Sequence, residues 1–182
     1  MAQTAELLLD AATEDAVLAQ WRALVEADLP SQARHTGETN RPHVTLAVAG
    51  ALPDDLDEPL RHAAGDLPLP VRLGPLVVLG GRRHVLARLL VATPDLLALH
   101  ARTAEVVRGC PDRSELVEPG AWTPHVTLAR GLSGEQVAAA LAALGRPADL
   151  TASVTGVRRF DGDARAVRLV AGRDERGLSP GG

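Results

Sequence analysis

The hexapeptide PHVTLA occupies residues 42–47 and returns unchanged at residues 124–129, an offset of 82 (124 − 42). The offset persists outside the motif: Leu7 and Leu8 correspond to Leu89 and Leu90, Gly74 to Gly156, and Gly80 to Gly162. Two units of 82 nearly fill a chain of 182 residues, so the sequence reads as a duplication whose two copies face each other as lobes. One bilobal domain is expected over residues 1–172. Residues 173–182 carry no hydrophobic period and are expected to be a disordered tail.

Each copy repeats one grammar. A short apolar strand (Glu6–Leu9 or Val85–Val91) leads into a helix, about 14–28 or 94–108. Thr93 and Pro94 supply an N-cap and a first-turn proline, and Gly109 a stop. The motif strand follows, His43–Ala49 or His125–Arg130. Next come a second helix, about 54–65 or 134–145, and two closing strands, about 70–79 with 84–91, and 151–160 with 165–171. Ser133 to Gln136 has the spacing of a capping box. Strands, helices and hairpins mixed in this order predict an α+β fold. Two largely antiparallel sheets should flank a central cleft, with the helices outside.

On a strand, alternate side chains share a face. His43 and Thr45 therefore stand together, roughly 6.6 Å apart along the strand, while Val44 and Leu46 point into the core. His125 and Thr127 repeat this against Val126 and Leu128. Facing copies bring two imidazoles and two hydroxyls around one position, a set suited to a phosphate. Hydroxyls donate to its non-bridging oxygens, one neutral imidazole can take a proton from water, and one imidazolium can protonate the leaving oxygen.

Composition narrows the chemistry. All 19 Lys+Arg positions are arginine, and there is no lysine, isoleucine or tyrosine, a pattern that fits a GC-rich bacterial genome. Lysine and tyrosine are thus excluded as catalytic groups. The single cysteine, Cys110, excludes an internal disulfide and a cysteine-based zinc cluster, and it is expected to be inert. A net charge of −4 makes the whole surface a poor trap for long nucleic acid, so an anionic ligand needs a local cluster. No apolar run reaches the ~18 residues of a membrane helix. The N-terminus lacks a basic signal-peptide start. A cytoplasmic, monomeric protein with no membrane partner is expected.

The paired His-x-Thr-hydrophobic motifs resemble those of the 2H phosphoesterase superfamily. His125-Val126-Thr127-Leu128-Ala129-Arg130 is similar to the H-x-T-L-x-R pattern of the bacterial and archaeal RNA 2′,3′-cyclic phosphodiesterases, also called 2′-5′ RNA ligases. The resemblance implies metal-independent hydrolysis of a 2′,3′-cyclic phosphate, on an RNA end or a small nucleotide, to a 2′-phosphomonoester. It implies no cofactor. It makes His43 the acid and His125 the base, which the near-symmetric sequence alone does not distinguish. Some relatives also run the chemistry backwards as ligases. Thr45, Thr127 and Arg130 are the expected phosphate-binding residues. Where such relatives carry an aromatic residue, this chain has Ala87, and Val48-Ala49-Gly50 also lacks one. Trp122 and Phe160 are the candidates for stacking a base, and Trp21 is expected in the core. Their scarcity points towards a small nucleotide. Arg41 is expected at the rim or in a solvated loop. Arg82, Arg83, Arg158 and Arg159 are expected in hairpin regions, as solvated turn charges rather than a basic edge, and His35, His62, His84 and His100 are expected to be structural or exposed. Two other readings stay open: a binding module that does not turn its ligand over, and a phosphoesterase for a non-RNA cyclic phosphate.

Overall fold

Locally encoded elements follow one another in the expected order. In the computed structural model, which describes residues 2–37 and 39–177, these are β1 (Gln3–Leu9), α1 (Ala11–Glu26), β2 (Val44–Ala49), α2 (Asp57–Ala64), β3 (Leu69–Leu79), β4 (His84–Leu90), α3 (Pro94–Val106), β5 (His125–Leu132), α4 (Gly134–Leu144), β6 (Leu150–Asp161) and β7 (Ala166–Gly172). The helix starts have the chemistry the sequence announces. Thr93 accepts from the Leu96 N–H, and Ser133 and Gln136 close a capping box. α1 begins earlier than expected because Asp10 is its N-cap, accepting from the Thr13 N–H at 2.9 Å.

The strands form one antiparallel sheet in the order β1-β2-β5-β4-β3-β6-β7, closed by a further β1–β6 pairing. The two expected sheets are thus its two halves. They meet at the single bridge Val44↔Val126 on one side and along the 12-residue β6 on the other. The copies are also interleaved. β6, from the second copy, pairs with β1, while β3, from the first, pairs with β4. The helices pair the same way, α1 with α4 and α2 with α3. Each lobe is therefore built from both copies.

The core lies between helices and sheet, joining Val17, Trp21 and Leu24 of α1 and Leu96 and Leu99 of α3 to Leu7, Val44, Leu46, Val126 and Leu128. Burying this apolar set is the main favourable term in folding. Gly156 is required where strands crowd, since a Cβ there would lie 2.7 Å from the Arg173 carbonyl oxygen.

The register corrects one correspondence. Glu6 and Leu7 pair with Thr45 and Val44, whereas Ala87 and Arg88 pair with Thr127 and Val126. Counted from the motif strands, Glu6 matches Ala87 and Leu7 matches Arg88, so Leu7-Leu8 does not fall on Leu89-Leu90. The same register shift occurs in both halves, at Ala5/Glu6 and at Leu86/Ala87. The offset therefore comes from a stretch between strand and motif that is one residue longer in the second copy, and on a strand one residue exchanges faces.

The tail is also corrected in part. Residues 173–177 lie against α1: Asp174 pairs with Arg41 at 2.7 Å, the Ala11 N–H donates to Glu175 at 2.9 Å, and Arg176 pairs with Asp15. Residues 178–182 lie outside the described part.

Candidate active site

β2 and β5 meet only at Val44↔Val126, and that bridge organises the site. Both valines are fully buried on the core side, so His43, Thr45, His125 and Thr127 project from the opposite face. In an antiparallel pair, the residue before one partner lies across from the residue after the other. His43 therefore lies toward Thr127, and His125 toward Thr45. The four residues singled out by the repeat form one alternating cluster.

The two rings are held alike. His43 Nδ1 lies 2.8 Å from the Arg41 carbonyl oxygen, and His125 Nδ1 lies 2.7 Å from that of Thr123. A carbonyl only accepts, so each Nδ1 carries the proton and each Nε2 is left as the ring's other, untied nitrogen. The intervening Pro42 and Pro124, with φ fixed by the ring, hold these carbonyls two residues upstream. This accounts for the proline that begins the repeated motif.

The surroundings of the rings differ. A Glu6 carboxylate oxygen lies 3.6 Å from His43 Nε2, too long for a hydrogen bond but close for charges. Glu6 also accepts from Thr4 Oγ1 at 2.6 Å and from Arg158 Nε at 2.7 Å. Burial alone would raise this carboxyl; His43, Arg158 and Thr4 overcome it and hold it below its ordinary value. The position matching Glu6 in the other half is Ala87. Burial holds the His125 ring below the usual histidine range; the Thr123 carbonyl opposes this, and Arg130 and His43 add to it.

Arg130 ends the motif on β5 and donates from Nη2 to Thr127 Oγ1 at 3.2 Å. It lines a cavity of about 660 Å³ with Glu6, His43, Arg158, Phe160 and Arg165. Phe160, one of the two candidates for stacking a base, is therefore among the residues lining the cavity. Trp122 does not line this cavity: its ring stacks on His100 at 3.9 Å, and its indole N–H donates to the Thr45 carbonyl at 2.8 Å. Trp21 mirrors it from the core, donating to the Thr127 carbonyl at 3.0 Å. Each indole pins the backbone of one motif threonine, so Trp122 anchors a motif strand.

Three arginine expectations are corrected. Arg41 is largely buried between Glu14 and Asp174, which fixes the carbonyl that holds His43. Arg158 and Arg159 lie within β6, not in a turn, and both are buried. Arg158 faces the cleft, whereas Arg159 binds the carbonyl oxygens of Pro53 and Leu52 and the Asp57 carboxylate. Arg82 and Arg83 are exposed as expected. His35 is exposed but lines the cavity, a placement its sequence position gives no sign of. Burial pushes the Cys110 thiol up. Among the described residues, no group of three or more His, Cys, Asp or Glu side chains is arranged to hold a metal ion. No helix among them is long and apolar enough to cross a membrane.

Comparison with known proteins gives the same picture. The sequence profile of the 2′-5′ RNA ligase superfamily matches residues 10–166. No curated protein sequence matches the chain. TT0787 of Thermus thermophilus is similar in fold, with a TM-score of 0.54 and 17% identity over 93% of this chain and 95% of that one. LigT of E. coli, crystallised with 3′-AMP, superposes with a TM-score of 0.50 and 16% identity over 92% and 91%. Usb1 of Kluyveromyces marxianus with uridine monophosphate gives 0.54 and 15% over 93% and 97%.

Proposed function

This chain belongs to the 2′-5′ RNA ligase superfamily, and on that premise we propose that it hydrolyses 2′,3′-cyclic phosphates of nucleotides or RNA ends to 2′-phosphomonoesters. The observation that carries the reading is the cluster across the Val44–Val126 bridge: two imidazoles with Nδ1 tied back and Nε2 free, beside two threonine hydroxyls. In the reaction, the Thr45 and Thr127 hydroxyls and the Arg130 guanidinium hold the non-bridging oxygens. Water attacks phosphorus as His125 Nε2 takes its proton. The P–O3′ bond breaks, and the leaving O3′ takes the proton of His43 Nε2. Proton exchange with solvent then restores both rings.

The asymmetry of the site supports this division of roles. The base must be neutral, and burial with Arg130 nearby favours a neutral His125. The acid gives its proton from Nε2, and at His43 that atom faces the Glu6 carboxylate at 3.6 Å, a neighbour replaced by Ala87 in the other half. Structures of relatives with 3′-AMP and with uridine monophosphate support a nucleotide ligand. Phe160 is the one phenyl or indole ring lining the cavity, which favours a short nucleotide over a long RNA strand.

Phosphorus NMR of the protein with a 2′,3′-cyclic nucleotide, and with a short RNA ending in a cyclic phosphate, tests the proposal. The expected result is conversion to the 2′-phosphomonoester, undiminished by EDTA. A persistent bound cyclic phosphate with no product would make the protein a binding module, and a 3′-phosphomonoester would reverse the assigned leaving group.

A further inference from the structure

The cleft extends beyond the histidines. Its cavity of about 660 Å³ runs from His43 and Arg130 to Arg158, Phe160, Gly162 and Arg165. Thr45, Glu6 and Arg158 are directly paired on β2, β1 and β6. Arg158 therefore stands two strand spacings, roughly 9–10 Å, from the motif threonine.

Arg158 is also differently employed from the other buried arginines. Its side chain is 2% exposed and its Nε is fixed by Glu6 at 2.7 Å. Its two terminal nitrogens have no acceptor among the described residues and are not sealed in the interior. Arg88, equally buried, spends Nε and Nη2 on the carbonyls of Gly74, Leu73 and Ala148, and its Nη1 is sealed in the interior rather than open to the cleft. Arg165, at the turn after β6, lines the same cavity. Among the described lining residues, the cavity thus presents Arg130, Arg158 and Arg165 with the Glu6 carboxylate, which is already engaged by Arg158 and His43.

A cyclic phosphodiester carries one negative charge, and Arg130 beside Thr127 suffices to meet it. Two further guanidiniums at the outer end, in a protein of net charge −4, call for a second anion. On a nucleotide whose 2′ and 3′ oxygens are closed into the ring, that anion is carried on the 5′ oxygen. We propose that Arg158, Phe160 and Arg165 form a subsite for a second phosphate, so that the substrate is a 2′,3′-cyclic nucleotide bearing a phosphate on its 5′ side. Phe160, two residues beyond Arg158 on β6, lines the same cavity and offers a surface for the sugar or base. The proposal rests on the cyclic-phosphate reading for which end of the nucleotide meets the histidines.

The test compares adenosine 2′,3′-cyclic phosphate, its 5′-phosphorylated form and a dinucleotide ending in the same cyclic phosphate. The 5′-phosphate should lower KM about tenfold or more with little change in kcat, and in Arg165→Ala and Arg158→Gln the advantage should fall below about twofold. An equal gain with the dinucleotide identifies the phosphate of an RNA chain as an alternative source; a gain with the mononucleotide alone identifies a free terminal phosphate. A gain confined to the dinucleotide assigns the affinity to the second nucleoside and overturns the proposal. So does equal KM for all three, or an advantage that survives both substitutions. If none is turned over, the cyclic phosphodiesterase reading fails separately. Calorimetry with adenosine 3′,5′-bisphosphate against adenosine 3′-monophosphate then reads the subsite alone, and equal affinity overturns it.

Discussion

Replacing Glu6 with glutamine keeps the size of the side chain and one carbonyl acceptor, and removes the charge facing Arg158. The two side chains are 4% and 2% exposed and meet at 2.7 Å. Two unit charges at that separation attract by about 6 kcal/mol in a medium of effective dielectric near 20. Desolvation of both ions offsets much of this, yet removing one partner strands the other, at a cost of about 3–5 kcal/mol. The glutamine carbonyl can still accept from Nε and the terminal nitrogens reach the cleft, so the lower end, about 3 kcal/mol, is expected. The pH dependence identifies the cause. Glu6 has a depressed pKa in the folded protein, despite burial, because of His43, Arg158 and Thr4. Such a carboxyl contributes stability that is complete above its unfolded pKa and is lost as pH falls through its folded one. Urea titrations followed by tryptophan fluorescence should show wild type above Glu6→Gln by about 3 kcal/mol at neutral pH, with the gap closing below roughly pH 4. A gap under about 1 kcal/mol at neutral pH, or one that stays constant down to about pH 3, would refute the reasoning.

Three further outcomes are expected. His43→Ala and His125→Ala should each lower kcat about 10²–10⁴-fold, and near-full turnover by both would exclude two-histidine catalysis. The acid limb of the kcat/KM profile should lie below the ordinary histidine value of roughly pH 6.5, because burial, Arg130 and His43 favour neutral His125. Arg130→Gln removes one of those causes and should shift that limb to higher pH; a shift to lower pH would contradict the assignment of His125 as base. Trp21→Phe leaves the Thr127 carbonyl without its buried donor and should cost about 1–3 kcal/mol in urea unfolding, read from the remaining Trp122, and an unchanged midpoint would deny the indole its anchoring role.

The legible parts of the site are local ones. Alternation along β2 and β5 puts His43 with Thr45 and His125 with Thr127, and Pro42 and Pro124 mark how each strand begins. Arg158 escapes such a reading because a charged residue near a hairpin is usually solvated, whereas the pairing of β6 with β1 sets it beside Glu6 and in the cleft. Trp122 escapes it because nearness to His125 in sequence says nothing of the face its ring takes, and His100 on α3 decides that face.

By itself, the sequence determined the duplication, the antiparallel α+β grammar, the helix caps and the identity of the four motif residues. Each depends on periodicity or on contacts a few residues apart. The tertiary structure alone decided that β6 returns to pair with β1 and β3, that Glu6 sits beside His43 while Ala87 holds the matching place, and that Arg158 opens onto the cleft. These follow from long-range strand pairing and from a strand-to-motif stretch one residue longer in the second copy. A one-residue slip turns every side chain of a strand to its other face, so two copies nearly identical in their motifs acquire different electrostatic surroundings.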